Sequence, residues 1–178
     1  IRDRLGCDMA ALLSDRDPLS AAEVGCDLEA RLEAMGEQKR CKPLRELSRQ
    51  LERQLERLGI DPDAESTGID SAQLILTAFP NWLALQRRGQ TGRYRLRQGR
   101  GAILRPTDPL AGSEALAVAR LDMGQRDTRI QLAVPLSRQR VEQLALQQGE
   151  WLDQVTWDDQ SERIRAERQL KLGALVLR

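Results

Sequence analysis

The sequence predicts an α+β protein in two parts, helices first and strands after, and three observations support that. Apolar residues recur every three or four positions up to about residue 80. From Trp82 onward the spacing shortens to two. Charge changes sign at nearly the same place: residues 1–69 carry 11 basic and 15 acidic side chains, a net of −4, and residues 70–178 carry 17 and 12, a net of +5.

The helical part opens with a stripe of Leu5, Met9, Leu12 and Leu13. A turn over residues 15–20, containing Pro18, separates it from a second stripe of Val24, Leu28, Leu32 and Met35 that ends at Gly36. Ser20 and Glu23 have capping-box spacing, and Gly25 allows the start to shift to Asp27. The third helix presents Leu44, Leu47, Leu51, Leu55 and Leu58 on one face. Gly59 stops it, with Ile60 placed to fold back on Leu55 and Pro62 preventing resumption. Arg49, Arg53 and Arg57 line another face with Glu46, Glu52 and Glu56 among them, which reads as solvated. After an acidic loop, Asp70 and Gln73 cap a short helix through Leu74, Leu76 and Phe79 that Pro80 terminates.

In the second part Arg93, Arg95 and Arg97 alternate with Tyr94 and Leu96. Ile130, Leu132 and Val134 alternate with Arg129 and Gln131, and Ile164, Ala166, Leu170 and Leu172 with Arg163, Arg165 and Lys171. These are half-buried strands. One helix interrupts them, capped by Ser137, carrying Val141, Leu144 and Ala145, and released at Gly149 into a strand from Trp151 to Trp157. The whole predicts a small helical bundle over residues 1–81, then an OB-like antiparallel β-barrel with one inserted helix over residues 82–178. Trp151, Val155 and Trp157 share a strand face and are expected in the core, since that face otherwise lacks large apolar groups.

Composition excludes several chemistries. With 0 histidines, the usual zinc sets and the Ser-His and Cys-His nucleophile pairs cannot be assembled. Cys7, Cys26 and Cys41 form no CxxC pair and read as buried reduced thiols. Gly89-Gln90-Thr91-Gly92 and Gly99-Arg100-Gly101 lack the lysine and serine or threonine of a phosphate-cradling P-loop. Asp158 and Asp159 are accounted for as turn residues. No catalytic residue, cofactor site or metal site is expected. No apolar run approaches the roughly 20 residues of a membrane span, and no secretion signal opens the chain, so a cytoplasmic location is expected. The opening on Ile1 and the close at Arg178, just after Leu175, Val176 and Leu177, read as an excerpt of something longer.

One segment points to a partner. Between Asp70 and Asp108 lie seven arginines (87, 88, 93, 95, 97, 100 and 105) and no aspartate or glutamate. Uncompensated guanidinium groups attract polyanions through phosphate pairing and counterion release. Same-face residues on a strand are about 6.6 to 7 Å apart, so Arg93, Arg95 and Arg97 match the spacing of successive phosphates. Arg87, Arg88, Arg93, Arg95, Arg97 and Arg100 are therefore the candidate contacts to single-stranded RNA or another nucleic acid. A solvated arginine face would look the same, because arginine outnumbers lysine 25 to 3 throughout.

The order of residues resembles the HrpB family of bacterial DEAH-box ATP-dependent helicases. The matching stretches are Cys7-Asp8-Met9-Ala10-Ala11-Leu12-Leu13-Ser14-Asp15-Arg16-Asp17-Pro18-Leu19, Asp27-Leu28-Glu29-Ala30-Arg31-Leu32-Glu33-Ala34, and Ala78-Phe79-Pro80 leading into Gln86-Arg87-Arg88. Gly92-Arg93-Tyr94, Gly99-Arg100-Gly101-Ala102, Asp108-Pro109-Leu110-Ala111-Gly112, Trp157-Asp158 and Leu172-Gly173-Ala174-Leu175-Val176-Leu177 continue the match. The resemblance implies a C-terminal accessory region, a helical bundle plus OB-like domain, following two RecA-like motor domains and a winged helix and preceding a family-specific C-terminal segment. ATP and magnesium would belong to the motors of the same polypeptide, which are partners of this region and outside it. The region would help hold single-stranded RNA against the motor, or alternatively dock the motor without touching RNA.

Overall fold

The structure is a computed structural model that describes residues 4–14, 17–60, 69–124, 128–159 and 162–177. The helical part comprises α1 (Leu5–Ser14), α2 (Ala21–Val24), α3 (Leu28–Glu37), α4 (Lys42–Arg57) and α5 (Ser71–Ala78). Both starts read for the second stripe are used. Ser20 donates from its N–H and its hydroxyl to the Glu23 carboxylate, each at 2.9 Å, opening the single turn of α2. Gly25 then breaks the chain at φ +60°, and Asp27 caps α3 by accepting from the Glu29 and Ala30 N–H groups. At the end of α4 the Ile60 N–H donates to the Leu55 carbonyl and the Gly59 N–H to that of Glu56, both at 3.0 Å, a Schellman closure. Pro62 and the acidic loop lie outside the described residues.

The packing face of α4 differs from the leucine stripe. Leu44, Ser48 and Glu52 are buried, whereas Leu47, Leu51 and Leu55 are half-buried and Leu58 is 74% exposed. α1 explains the rotation: Ser48 donates to Asp8 at 2.7 Å, and the Glu52 carboxylate pairs with Arg4 at 3.1 Å. Glu52 is thus an interhelical contact and not part of a solvated face.

The barrel follows as expected after the helices, with β1 (Leu83–Gln86), β2 (Arg93–Leu96), β3 (Gly101–Ile103), β4 (Ala115–Met123) and β5 (Thr128–Leu136) closed in the order β1-β2-β3-β5-β4. Its pairings are antiparallel except β3 with β5, which run parallel. β1 pairs with both β2 and β4, so by Leu136 no edge remains for a sixth strand. α6 (Arg138–Gln148) consequently leaves the barrel, and the chain forms a second, three-stranded sheet of β6 (Glu150–Asp158), β7 (Arg163–Leu172) and β8 (Leu175–Val176). The helix therefore joins two sheets and is not inserted within one.

Two cores result. Inside the barrel lie Tyr94, Leu96, Leu116, Val118 and Ile130. Outside it, Ala115, Ala117 and Ala119 face a larger core with the helices, α6 and the base of the second sheet. The parts are joined at Cys26, whose N–H donates to Asp108 Oδ2 at 2.9 Å and whose carbonyl accepts from the Ala133 N–H at 2.9 Å. A Cβ on Gly25 would come within 2.6 Å of Pro109 Cδ, so this close approach requires glycine as much as the positive φ does.

Trp151, Val155 and Trp157, expected in the core, are 44%, 69% and 60% exposed. The exclusion of β6 from the barrel is the cause, because the outer part of the β6–β7 ribbon has no second layer among the described residues. Also among the described residues, no helix is long and apolar enough to cross a membrane.

Tyr94 is fully buried, with its hydroxyl 3.0 Å from the Leu110 and Ser113 carbonyls and 3.2 Å from that of Ala111. Replacing Tyr94 by phenylalanine strands these acceptors and is expected to cost about 1–3 kcal/mol, read as a lower urea midpoint at unchanged slope. Asp70 caps α5 and forms a two-pronged pair with Arg140 of α6, its second contact at 3.0 Å. Partial burial pushes this carboxyl up, but Arg140 and the Gln73 N–H outweigh that and hold it below its ordinary value. A depressed carboxyl stabilises the fold above its unfolded pKa and loses that contribution as pH falls through the folded one. Asp70→Asn keeps the cap, so it is expected to lower the urea midpoint at pH 7 and to converge on the parent below about pH 3.9.

Candidate nucleic-acid interface

Alternation along β2 turns Tyr94 and Leu96 into the barrel, which leaves Arg93 and Arg95 exposed on its outside. The strand ends at Leu96, so the row of three guanidinium groups becomes two. Arg97 is half-buried and donates to Gln148 Oε1 at 3.3 Å, while its carbonyl accepts from the Ala174 N–H at 2.8 Å. Arg87 and Arg88 follow β1 at the turn into β2, where Gly89 and Gly92 adopt φ of +69° and +73°. Arg100 is exposed and donates to the Met123 sulfur at 3.1 Å. Among the described residues none of these six forms an ion pair, in contrast to Arg31 with Asp17, Arg40 with Glu23 and Arg140 with Asp70.

Three of the six converge. Arg87, Arg88 and Arg95 line a cleft of about 900 Å³ between the barrel and the ribbon, and Arg138 of α6 and Arg168 of β7 complete it. The ribbon presents Glu167 and Gln169 to this cleft, and Leu85, Gln86, Leu175 and Leu177 also line it. Arg138 Nε lies 3.5 Å from Glu142 and its Nη2 donates to the Leu177 carbonyl at 3.3 Å. Arg168 lies over the Trp151 ring at 5.4 Å and 3.5 Å from Asp153. Among the described residues the lining thus holds five arginines and one carboxylate, Glu167. Arg97 lines a second cavity of about 580 Å³ with Arg140, Gln73, Gln143, Gln147 and Gln148, and Arg93 and Arg100 stand outside both cavities.

Sequence reasoning missed Arg138 and Arg168. Each stands near carboxylates in the chain, outside the acid-free segment, and no local pattern brings them beside Arg95. A third cavity, about 880 Å³ at the seam between helices and barrel, contains Cys26, Asp108, Arg31 and Arg120. Cys7 and Cys41 are buried and Cys26 is half-buried. Burial first, then the hydrogen bond and charge of Asp108, push the Cys26 thiol up to about 12. A thiol so raised is not a nucleophile at neutral pH.

Helices docked on a five-stranded barrel, with an arginine-lined cleft where the barrel meets an outlying sheet, define the class: a small α+β region with a cationic cleft. The family described as "ATP-dependent RNA helicase HrpB, connector region" matches residues 148–178, the stretch that runs from the end of α6 through the ribbon and β8. The ATP-dependent RNA helicase HrpB of Escherichia coli (strain K12) is 37% identical over 109 residues, covering 60% of this chain and 13% of that protein. The crystal structure of E. coli DExH-box NTPase HrpB superimposes with a TM-score of 0.75 at 29% identity, over 98% of this chain and 20% of that one. The crystal structure of Escherichia coli DEAH/RHA helicase HrpB gives 0.73 at 27% identity, with the same coverage. Together these matches support a likeness to a C-terminal accessory region of HrpB. It spans about a fifth or less of the relatives it matches.

One chemical expectation follows from the third cavity. At pH 8 the native Cys26 thiol is expected to react with a disulfide reagent at least about a hundredfold more slowly than in the urea-unfolded chain, as read by site-resolved mass spectrometry.

Proposed function

We propose that this region is the accessory nucleic-acid-binding portion of an ATP-dependent RNA helicase, and that its arginine cleft holds single-stranded RNA beside motor domains of the same polypeptide. One observation carries the reading: Arg87, Arg88 and Arg95, free of ion pairs among the described residues, line one cleft with Arg138 and Arg168. A phosphodiester backbone suits such a site because guanidinium groups bind phosphate oxygens in pairs and need no base identity. Work on RNA belongs to the motors in this reading, with ATP and magnesium bound there and the whole acting in the cytoplasm. The division into a bundle over residues 1–81 and a β part over residues 82–178 belongs to the same proposal. Among the described residues no aromatic group lines the cleft, so base stacking contributes little and sequence preference is weak.

Fluorescence anisotropy with a short single-stranded RNA tests this directly. Arg87→Glu, Arg88→Glu and Arg95→Glu combined are expected to weaken binding at least about tenfold and to flatten the logarithmic salt dependence by about two units. Wild-type affinity in that variant removes the cleft from the reading. A second reading, motor docking without RNA contact, is favoured by the bare apolar face of the β6–β7 ribbon.

A further inference from the structure

β6 and β7 pair without interruption from Glu150 opposite Lys171 to Asp158 opposite Arg163. Because the register places Trp151 opposite Leu170, Val155 opposite Ala166 and Trp157 opposite Ile164, these six side chains share one face of the ribbon, with the ion-paired Asp153 and Arg168 between the first pair and the other two. At its base the face is covered: Leu170, with Leu172, Leu175 and Leu177, is buried in the larger core alongside Val141 and Ala145 of α6. Past Arg168 the cover stops while the apolar surface continues. Val155 is 69% exposed, Trp157 60% and Ile164 71%. Large apolar groups adjoining on one flat surface and continuous with a core mark a site of contact.

Charge decides the kind of partner. Residues 150–172 contain six acidic side chains, Glu150, Asp153, Asp158, Asp159, Glu162 and Glu167, against four basic ones, Arg163, Arg165, Arg168 and Lys171. On the face itself Asp153 and Arg168 pair and cancel, and the acidic excess lies at the tip, where residues 158–163 hold three acidic side chains to one basic, so an RNA backbone is disfavoured beside Trp157 and Ile164. A second copy is disfavoured too. Antiparallel pairing of two β6 edges centred on Gln154 would set Glu150 of each copy against Asp158 of the other, like charge opposite like charge at both ends. What fits is a protein surface with an apolar centre and a basic rim. About four fifths of each solved relative lies outside the part this chain covers, and the ribbon falls within the stretch that matches the connector region.

We infer that the face formed by Val155, Trp157 and Ile164 docks against an apolar, basic-rimmed surface elsewhere in the same helicase polypeptide, outside residues 1–178. The inference rests on the reading that this region works within a longer helicase, and it is independent of whether the cleft binds RNA. Docking there would fix the ribbon, and with it one wall of the cleft, relative to the rest of the enzyme.

The test uses the full-length helicase that contains this region, with Val155 replaced by the photo-crosslinking residue p-benzoylphenylalanine and irradiated with and without excess single-stranded RNA. Peptide mapping is expected to place most cross-links within the same polypeptide but outside residues 1–178. Adding Trp157→Asp and Ile164→Asp is expected to reduce them at least about tenfold, and the arginine-to-glutamate cleft triple is expected to leave them unchanged. Cross-links confined to residues 1–178, to a second copy or to RNA, or none at all, overturn the inference. Hydroxyl-radical footprinting of the unaltered polypeptide guards against a disturbed variant: Trp157 is expected to be oxidised at least about fivefold more slowly than after unfolding, and equal rates overturn the docking. RNA binding and ATP hydrolysis by the same preparation report separately on the parent reading.

Discussion

Pairing of β1 with β4 is the constraint from which the rest of the molecule follows. Once Leu83, Ala84 and Leu85 lie against Ala117, Leu116 and Ala115, the barrel is shut and every later strand must pair elsewhere. The same closure turns the ends of β1 and β2 outward with their arginines and sends α6 across to a separate sheet. The cleft is the space left between a finished cylinder and a ribbon that could not join it. Its arginines come from the barrel, α6 and β7, its second wall from the ribbon, and neither part alone would make a cavity.

Glu167 and Gln169 of the ribbon meet the cleft, and the opposite face carries the apolar residues with the Asp153–Arg168 pair among them. With Leu170 and Leu172 anchored in the core, a pleat of period two carries Ala166 and Ile164 along the same side and Gln169 and Glu167 along the other. Anchoring the base therefore sets both the chemistry of the cleft wall and the chemistry of the surface offered outward. One register gives two surfaces of opposite character.

Much of the fold was legible in the sequence because it depends on local rules. The caps at Asp27, Asp70 and Ser137, the Gly59 closure and the alternation of β2 and β5 all appear where spacing and side-chain type put them. β4 was not legible, since residues 115–119 are buried on both sides, Leu116 and Val118 inside the barrel and three alanines outside, and such a strand has no alternation to detect. The α4 face was misjudged because Ser48 and Glu52 find polar partners on α1 that no pattern within α4 reveals. Trp151, Val155 and Trp157 alternate just as covered residues do, and a strand's own sequence cannot state whether a second layer exists. At the site, the acid-free segment exposed Arg87, Arg88 and Arg95, while Arg138 and Arg168 join them only through tertiary structure.

The joint between α6 and β6 has a consequence for how such a region can vary. A Cβ on Gly149 would come within 2.4 Å of the Ala145 carbonyl oxygen and 2.5 Å of that of Lys171, so main chain presses on main chain from two sides. The angle at which the ribbon departs is thus written in backbone and not in side chains. Exchanging the exposed side chains of the ribbon would leave that heading unchanged, whereas any side chain at Gly149 would force it to shift.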